Sequence, residues 1–197
     1  MPMTSASPAF VELTATSNRE LEEILRRGTT PSVDALVGYE YRGFNRPART
    51  ALLGIRKFTK GFFGVEGEAF GFNTLMKQNG LDAEWIARGD PGHPRRVGFF
   101  SVAPVRPGGR DDLYPHALLL NYAAGGNPVY DPSRLLRDYV VRVRQDSDEL
   151  LLGKAYLALG PTRPAAGFFL LERDRPVTSD RALEQRVGVI RGRARAA

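Results

Sequence analysis

Lys154, His116 and Glu172 are the residues of this 197-residue chain that stand out chemically, each a polar group in an otherwise apolar stretch. Lys154 is the one charge in Leu150-Leu151-Leu152-Gly153-Lys154-Ala155-Tyr156-Leu157-Ala158-Leu159, where strand alternation places it on one face with Leu152 and Tyr156. Facing inward it would need a carboxylate or a ligand anion, because an isolated buried ammonium costs several kcal/mol. Facing outward, or paired, it is an ordinary lysine. His116 heads a face with Leu118, Leu120 and Tyr122, and histidine is the residue type suited to acid–base work near neutral pH. Glu172 shares a face with Phe168 and Leu170 and is a candidate partner for Arg42, Arg56 or Lys154. An acid or base from His116 or Glu172, with an oxyanion stabiliser from Lys154 or Tyr156, would suffice for isomerase, cyclase or lyase chemistry. The groups would have to meet within about 3 Å of one substrate atom.

Other chemistry is removed by composition. The chain has no cysteine, which excludes disulfides, thiolate zinc sites, iron–sulfur clusters and thiol nucleophiles. His93 and His116 are its two histidines, too few for a multi-imidazole metal centre, and no metal is expected. No cofactor is expected either; haem, with His116 as proximal ligand, is the one alternative, testable by a visible spectrum. Ser101 lacks a nucleophile elbow, and the glycine-dense Gly61–Gly71 stretch lacks the Lys-Ser/Thr ending of a phosphate loop.

Residues 1–16 read as a flexible lead-in. Ser17-Asn18-Arg19-Glu20 opens a helix with Leu21, Ile24 and Leu25 as its apolar stripe, and a second short helix ends at Gly38. From there to Arg173, runs of aromatic and β-branched residues are divided by Gly, Pro and Asn. The candidate strands are 37–44, 55–63, 67–74, 83–88, 95–103, 115–122, 137–145, 149–159 and 166–173. Gaps too short for helical crossovers imply hairpins, and eight or nine such strands are best closed into a mainly β, antiparallel up-and-down barrel rather than a two-sheet sandwich. In the strand at 137–145, Tyr139, Val141 and Val143 read as the interior face. Asp138, Val140, Arg142 and Arg144 read as the solvent face, with Asp138 and Arg142 able to matter near the mouth.

The net charge is +6, but the stretch from Asp174 onward carries six arginines against three acids, so half the excess lies in a basic C-terminal tail, 174–197, outside a single domain spanning 17–173. No basic stripe is interleaved with stacking aromatics, so nucleic acid is not an expected partner. No apolar run approaches the roughly 20 residues of a membrane helix, and no membrane insertion is expected. A soluble, cytoplasmic protein is the default expectation.

Leu36-Val37-Gly38-Tyr39-Glu40-Tyr41-Arg42-Gly43 resembles the Gly-x-Trp-x-Gly opening of the GXWXG family of calycin-like, lipocalin-like barrels, with Tyr39 or Tyr41 at the tryptophan position. Leu118–Tyr122, Asn127-Pro128, Arg137–Val143, Asp148–Lys154 and Gly167–Arg173 are similar, in order, to that family's C-terminal half. The resemblance implies a calycin-like barrel with an internal cavity for a small hydrophobic molecule. On that reading the ligand-binding candidates are Tyr39, Tyr41, His116, Asn121, Tyr122, Lys154, Tyr156 and Glu172. The alternatives are the cofactor-independent enzyme described above and an interaction protein with a packed barrel.

Overall fold

The computed structural model describes residues 6–46, 54–90 and 92–194. Eight antiparallel strands close into an up-and-down barrel in sequence order, β1 (Tyr39–Asn45), β2 (Lys57–Val65), β3 (Glu68–Leu75), β4 (Arg96–Pro104), β5 (Leu118–Asn121), β6 (Leu136–Arg144), β7 (Ser147–Leu157) and β8 (Ala165–Pro176), with β8 pairing back onto β1. Helices α1 (Pro8–Ala15), α2 (Asn18–Arg27) and α3 (Val33–Leu36) precede the barrel, and α4 (Arg181–Ala194) follows it. Ser17 and Glu20 form a reciprocal capping box at the start of α2. The β2–β3 hairpin turns on Glu66 and Gly67, both at positive φ, the turn whose twist matches its strands.

Glycine and phenylalanine are paired across the ladder. Gly43 lies opposite Phe58, Gly61 opposite Phe72, Gly71 opposite Phe100 and Gly153 opposite Phe169. In each pair a Cβ on the glycine would come within 2.1–2.3 Å of the ring, so the ring occupies the space that a side chain would take. The glycine density of β2 and β3 is therefore a packing device.

Three apolar clusters result. The first is inside the barrel and includes Tyr41, Phe58, Phe62, Phe100, Leu118, Leu120, Val140, Leu151, Phe169 and Leu171. The second lies outside the wall, where Phe10, Leu21 and Leu25 of α1 and α2 cover Tyr139, Val141, Leu152, Tyr156 and Leu170. The third packs Leu183 and Ile190 of α4 over Phe63, Phe70, Phe72 and Phe99.

This double wall reverses the expected orientation of β6: Asp138 and Val140 point inward, whereas Tyr139 and Val141 face α2; Arg142, at the rim, pairs with Asp148. Residues 174–194 also depart from the expected tail outside the domain. They complete β8 and form α4, whose Leu183, Val187 and Ile190 make an apolar stripe at helical spacing. Arg186 lies over the Phe99 ring and donates to the Gly126 carbonyl, so part of the basic charge works in packing. At the other terminus the lead-in holds α1, with Phe10 fully buried; residues 1–5 and 195–197 lie outside the described residues. The candidate strand at 83–88 is an irregular loop with one bridge, Met76 to Ala87. Its Ala83 and Glu84 carbonyls accept from Lys57 Nζ at 2.6 and 3.0 Å instead of from a neighbouring strand.

The two ends of the barrel differ. One is plugged by α3: Leu36 joins the interior cluster, Ser32 N–H donates to Asp148, and the Ala35 carbonyl accepts from Arg173. At the other end the inward-facing Asn73, Leu136 and Ala155 are only half-buried.

Candidate functional site

Just beneath that less covered end, four polar side chains converge from four strands or their ends. Lys60 of β2 sends Nζ to Asn73 Oδ1 of β3 at 2.9 Å, to the hydroxyl of Tyr122, which follows β5, at 2.5 Å, and to Asp138 Oδ2 of β6 at 3.0 Å. Its three ammonium hydrogens thus meet three acceptors. The Tyr122 hydroxyl donates in turn to Asp138 Oδ2 at 3.0 Å, and Asn73 Nδ2 donates to it and to the Gly98 carbonyl. Phe100, Phe169, Tyr122 and Phe58 place ring centroids 4.8, 5.1, 5.2 and 5.5 Å from Nζ, so the cation sits in an aromatic cage.

Lys60, Tyr122 and Asp138 are buried. Burial draws Lys60 below the ordinary lysine value against the opposing pull of the Asp138 charge, and it raises the Tyr122 phenol well above the usual range, keeping it neutral. One valence is left over. Asp138 Oδ1 is buried with no hydrogen-bond partner among the described residues. A buried acceptor left without a donor costs about 1–3 kcal/mol, more when charged.

Of the eight ligand-binding candidates read from the sequence, Tyr122 alone belongs to this cluster, joined by Asp138, which the sequence marked only as able to matter near the mouth. Tyr41 is also inside, but at the plugged end, where its hydroxyl donates to the Asp148 carbonyl and burial pushes its pKa up to about 12. Tyr39 is partly exposed at the start of β1, stacked with the Arg173 guanidinium at 4.4 Å. Asn121 Oδ1 accepts from the Ala123 N–H in a turn. A His116 ring nitrogen lies 2.9 Å from the Leu25 carbonyl of α2, outside the barrel. Lys154 and Tyr156 are on the outer wall: Lys154 Nζ reaches Glu22 Oε2 of α2 at 2.7 Å, and the Tyr156 hydroxyl meets that of Tyr114 at 2.8 Å. Glu172, also on the outer face, accepts from the Ser7 N–H and faces Arg42.

The eight residues therefore do not form one site. Lys60 and Asn73 were missed, although the sequence carried a signal for Lys60: Phe58-Thr59-Lys60-Gly61-Phe62 puts one charge on a face with two phenylalanines, the same pattern that singled out Lys154.

Two surface clefts lie outside the cluster, and none of its four residues lines either. One, of about 380 Å³, lies between α2 and the β6–β7 hairpin, and the other, of about 390 Å³, is lined by Ile55, Leu75–Gln78 and Arg88 at the less covered end. Ile55 also packs against the interior cluster, so the second cleft adjoins it.

Among the described residues no group of acidic or imidazole side chains is arranged to hold a metal, and no helix is long and apolar enough to cross a membrane. The closed eight-stranded barrel is compatible with a calycin-like fold. No protein-family profile and no curated protein sequence matches the chain, so the GXWXG likeness stands as a resemblance.

Proposed function

We propose that this barrel binds a small, mostly apolar ligand against the Lys60–Tyr122–Asp138 cluster, entering from the end opposite α3. The observation that carries the reading is Asp138 Oδ1, a buried carboxylate oxygen without a donor among the described residues, set beside a lysine whose own donors are all engaged. Such an oxygen is matched by a ligand hydroxyl or N–H, and the surrounding rings suit a flat apolar body. The ligand lodges by displacing Phe58 or Phe169 from above Nζ; both rings rest on glycines of neighbouring strands, and nearby Leu136 and Ala155 are half-buried.

The test is ligand-induced thermal stabilisation with benzyl alcohol and 1-naphthol. A ligand at a hundredfold its Kd stabilises by about 2.7 kcal/mol. Saturable stabilisation of the wild type, weakened about tenfold or more in apparent affinity by Asp138→Asn, is the expected result. Equal shifts in both proteins, or none in either, overturn the reading.

A further inference from the structure

A primary amine held in an apolar interior beside a carboxylate and a phenol is equipped for more than hydrogen bonding. We propose that Lys60 captures an aldehyde or ketone, holding it inside the barrel as a protonated imine on Nζ. The proposal rests on the ligand-binding reading above and names the ligand's reactive group.

The geometry supplies each part. The Lys60 ammonium transfers one proton to Asp138, either directly across the 3.0 Å contact with Oδ2 or through the Tyr122 hydroxyl at 2.5 Å. The freed Nζ lone pair attacks the carbonyl carbon. The N–C bond forms, the carbonyl π electrons move to oxygen, that oxygen takes up a proton from the Asp138–Tyr122 pair, and nitrogen returns one to it. The resulting carbinolamine carries a hydroxyl, a donor that finds Asp138 Oδ1, the oxygen without a partner among the described residues. The C–O bond then breaks, oxygen takes a second proton from Asp138 and leaves as water, and nitrogen's lone pair forms the C=N bond. The ammonium's three hydrogens end as one on the iminium and two in the water, Asp138 is again a carboxylate, and no oxidant or further reactant is needed.

The same surroundings favour the product. An iminium keeps the positive charge of the ammonium it replaces, so Asp138 serves as its counter-ion, and Phe100, with whichever of Phe58 and Phe169 the ligand leaves in place, stays within cation–π distance. Those rings also keep bulk water from hydrolysing the C=N bond. Burial, which outweighs the Asp138 charge in drawing Lys60 below the ordinary lysine value, favours the free amine that addition requires.

The experiment treats the full chain with benzaldehyde and sodium cyanoborohydride at neutral pH, then maps benzylated lysines by peptide mass spectrometry, with benzyl alcohol as the non-carbonyl control for binding. The chain has four lysines, and Lys57, Lys77 and Lys154 serve as internal references. The expected result is saturable labelling at Lys60, about tenfold above Lys77 despite the latter's exposure, and competition by benzyl alcohol. Asp138→Asn slows labelling at Lys60 and leaves Lys77 unchanged. If benzyl alcohol stabilises the protein but Lys60 stays unlabelled, the imine proposal falls and the binding reading stands. If neither compound stabilises it and label appears only on Lys77 or the N-terminus, both fall. The labelling map is made on the wild type, so the outcome does not depend on a variant folding.

Discussion

Lys60 and Lys154 meet the same kinds of partner, a carboxylate and a tyrosine hydroxyl, yet their electrostatics run in opposite directions. Lys60 is inside the barrel, touching Asp138 and Tyr122, and burial wins, lowering its pKa. Lys154 is on the outer wall beneath α2. There burial opposes the charge, but the hydrogen-bonded Glu22 carboxylate and the neighbouring Tyr156 outweigh it, and the pKa is raised; the tyrosine hydroxyl that Nζ itself reaches is that of Tyr114. The difference is depth: Glu22 keeps about a quarter of its side chain exposed, whereas Asp138 keeps 4%. Water can still solvate the outer pair, so that pair is a strut between helix and sheet. The inner pair must be justified by something other than stability, since a buried ion pair is seldom better than well-packed apolar residues.

Removing one partner from each pair sharpens the contrast most. Asp138→Leu or Lys60→Met alone leaves an uncompensated charge in the barrel and should cost about 3–5 kcal/mol in urea unfolding, whereas the double variant Lys60→Met with Asp138→Leu should recover most of that loss. A double variant as unstable as the singles would show that the cluster holds the fold together.

Next in size is Gly71→Ala. Its Cβ would meet the Phe100 ring at 2.3 Å and push one wall of the cage off Lys60, at about 1–3 kcal/mol by the same measurement. On the outer wall, Lys154→Met should cost only about 1 kcal/mol.

The smallest effect, and the one most specific to the comparison, is in pH. Burial raises the Glu22 carboxyl, but hydrogen bonding and charge from Lys154 outweigh it and hold the group below its ordinary 4.5. Its folded value lies below its unfolded one. Its contribution is therefore present above the ordinary carboxylate range and lost as pH falls through the folded value, so the cost of Glu22→Gln should disappear in acid. Lys154, raised, contributes below 10.5 and loses that contribution as pH rises through its folded value. Lys60, lowered, carries its full burial penalty below its folded value and is relieved of it as pH climbs toward 10.5. Lysine ¹³Cε NMR titration should place Lys60 below Lys154; the reverse order would break the comparison.

The barrel was legible because its signals are local: hairpin-length gaps, alternating runs, and a Ser17–Glu20 helix start. The site was legible only in kind. A lone charge between phenylalanines marks Lys60 as clearly as a lone charge between leucines marks Lys154, and nothing local says which faces the lumen. On β6 both alternating faces are apolar enough to be core, because α1 and α2 bury the outer one, so parity could not separate Asp138 from Tyr139. The helix at 181–194 was hidden for a related reason. Its arginines dominate the composition, whereas Leu183, Val187 and Ile190 acquire meaning only against the Phe63–Phe72 surface they cover.

The seam between β1 and β8 sets the order of events when the chain folds. Arg42 pairs with Glu172 across that seam, and Ser7 reaches the same Glu172 from before the barrel. Closure must wait until β8 exists, so during synthesis the β1 edge stays without its second neighbour while the intervening strands are made. Bringing such distant segments together delays the reward for its entropy, which places the barrel among slow, millisecond-to-second folders. An open β1 edge over that interval is where intermolecular strand pairing would compete, and Arg42 and Glu40, charged residues on that strand, stand at the position where such an edge needs defending.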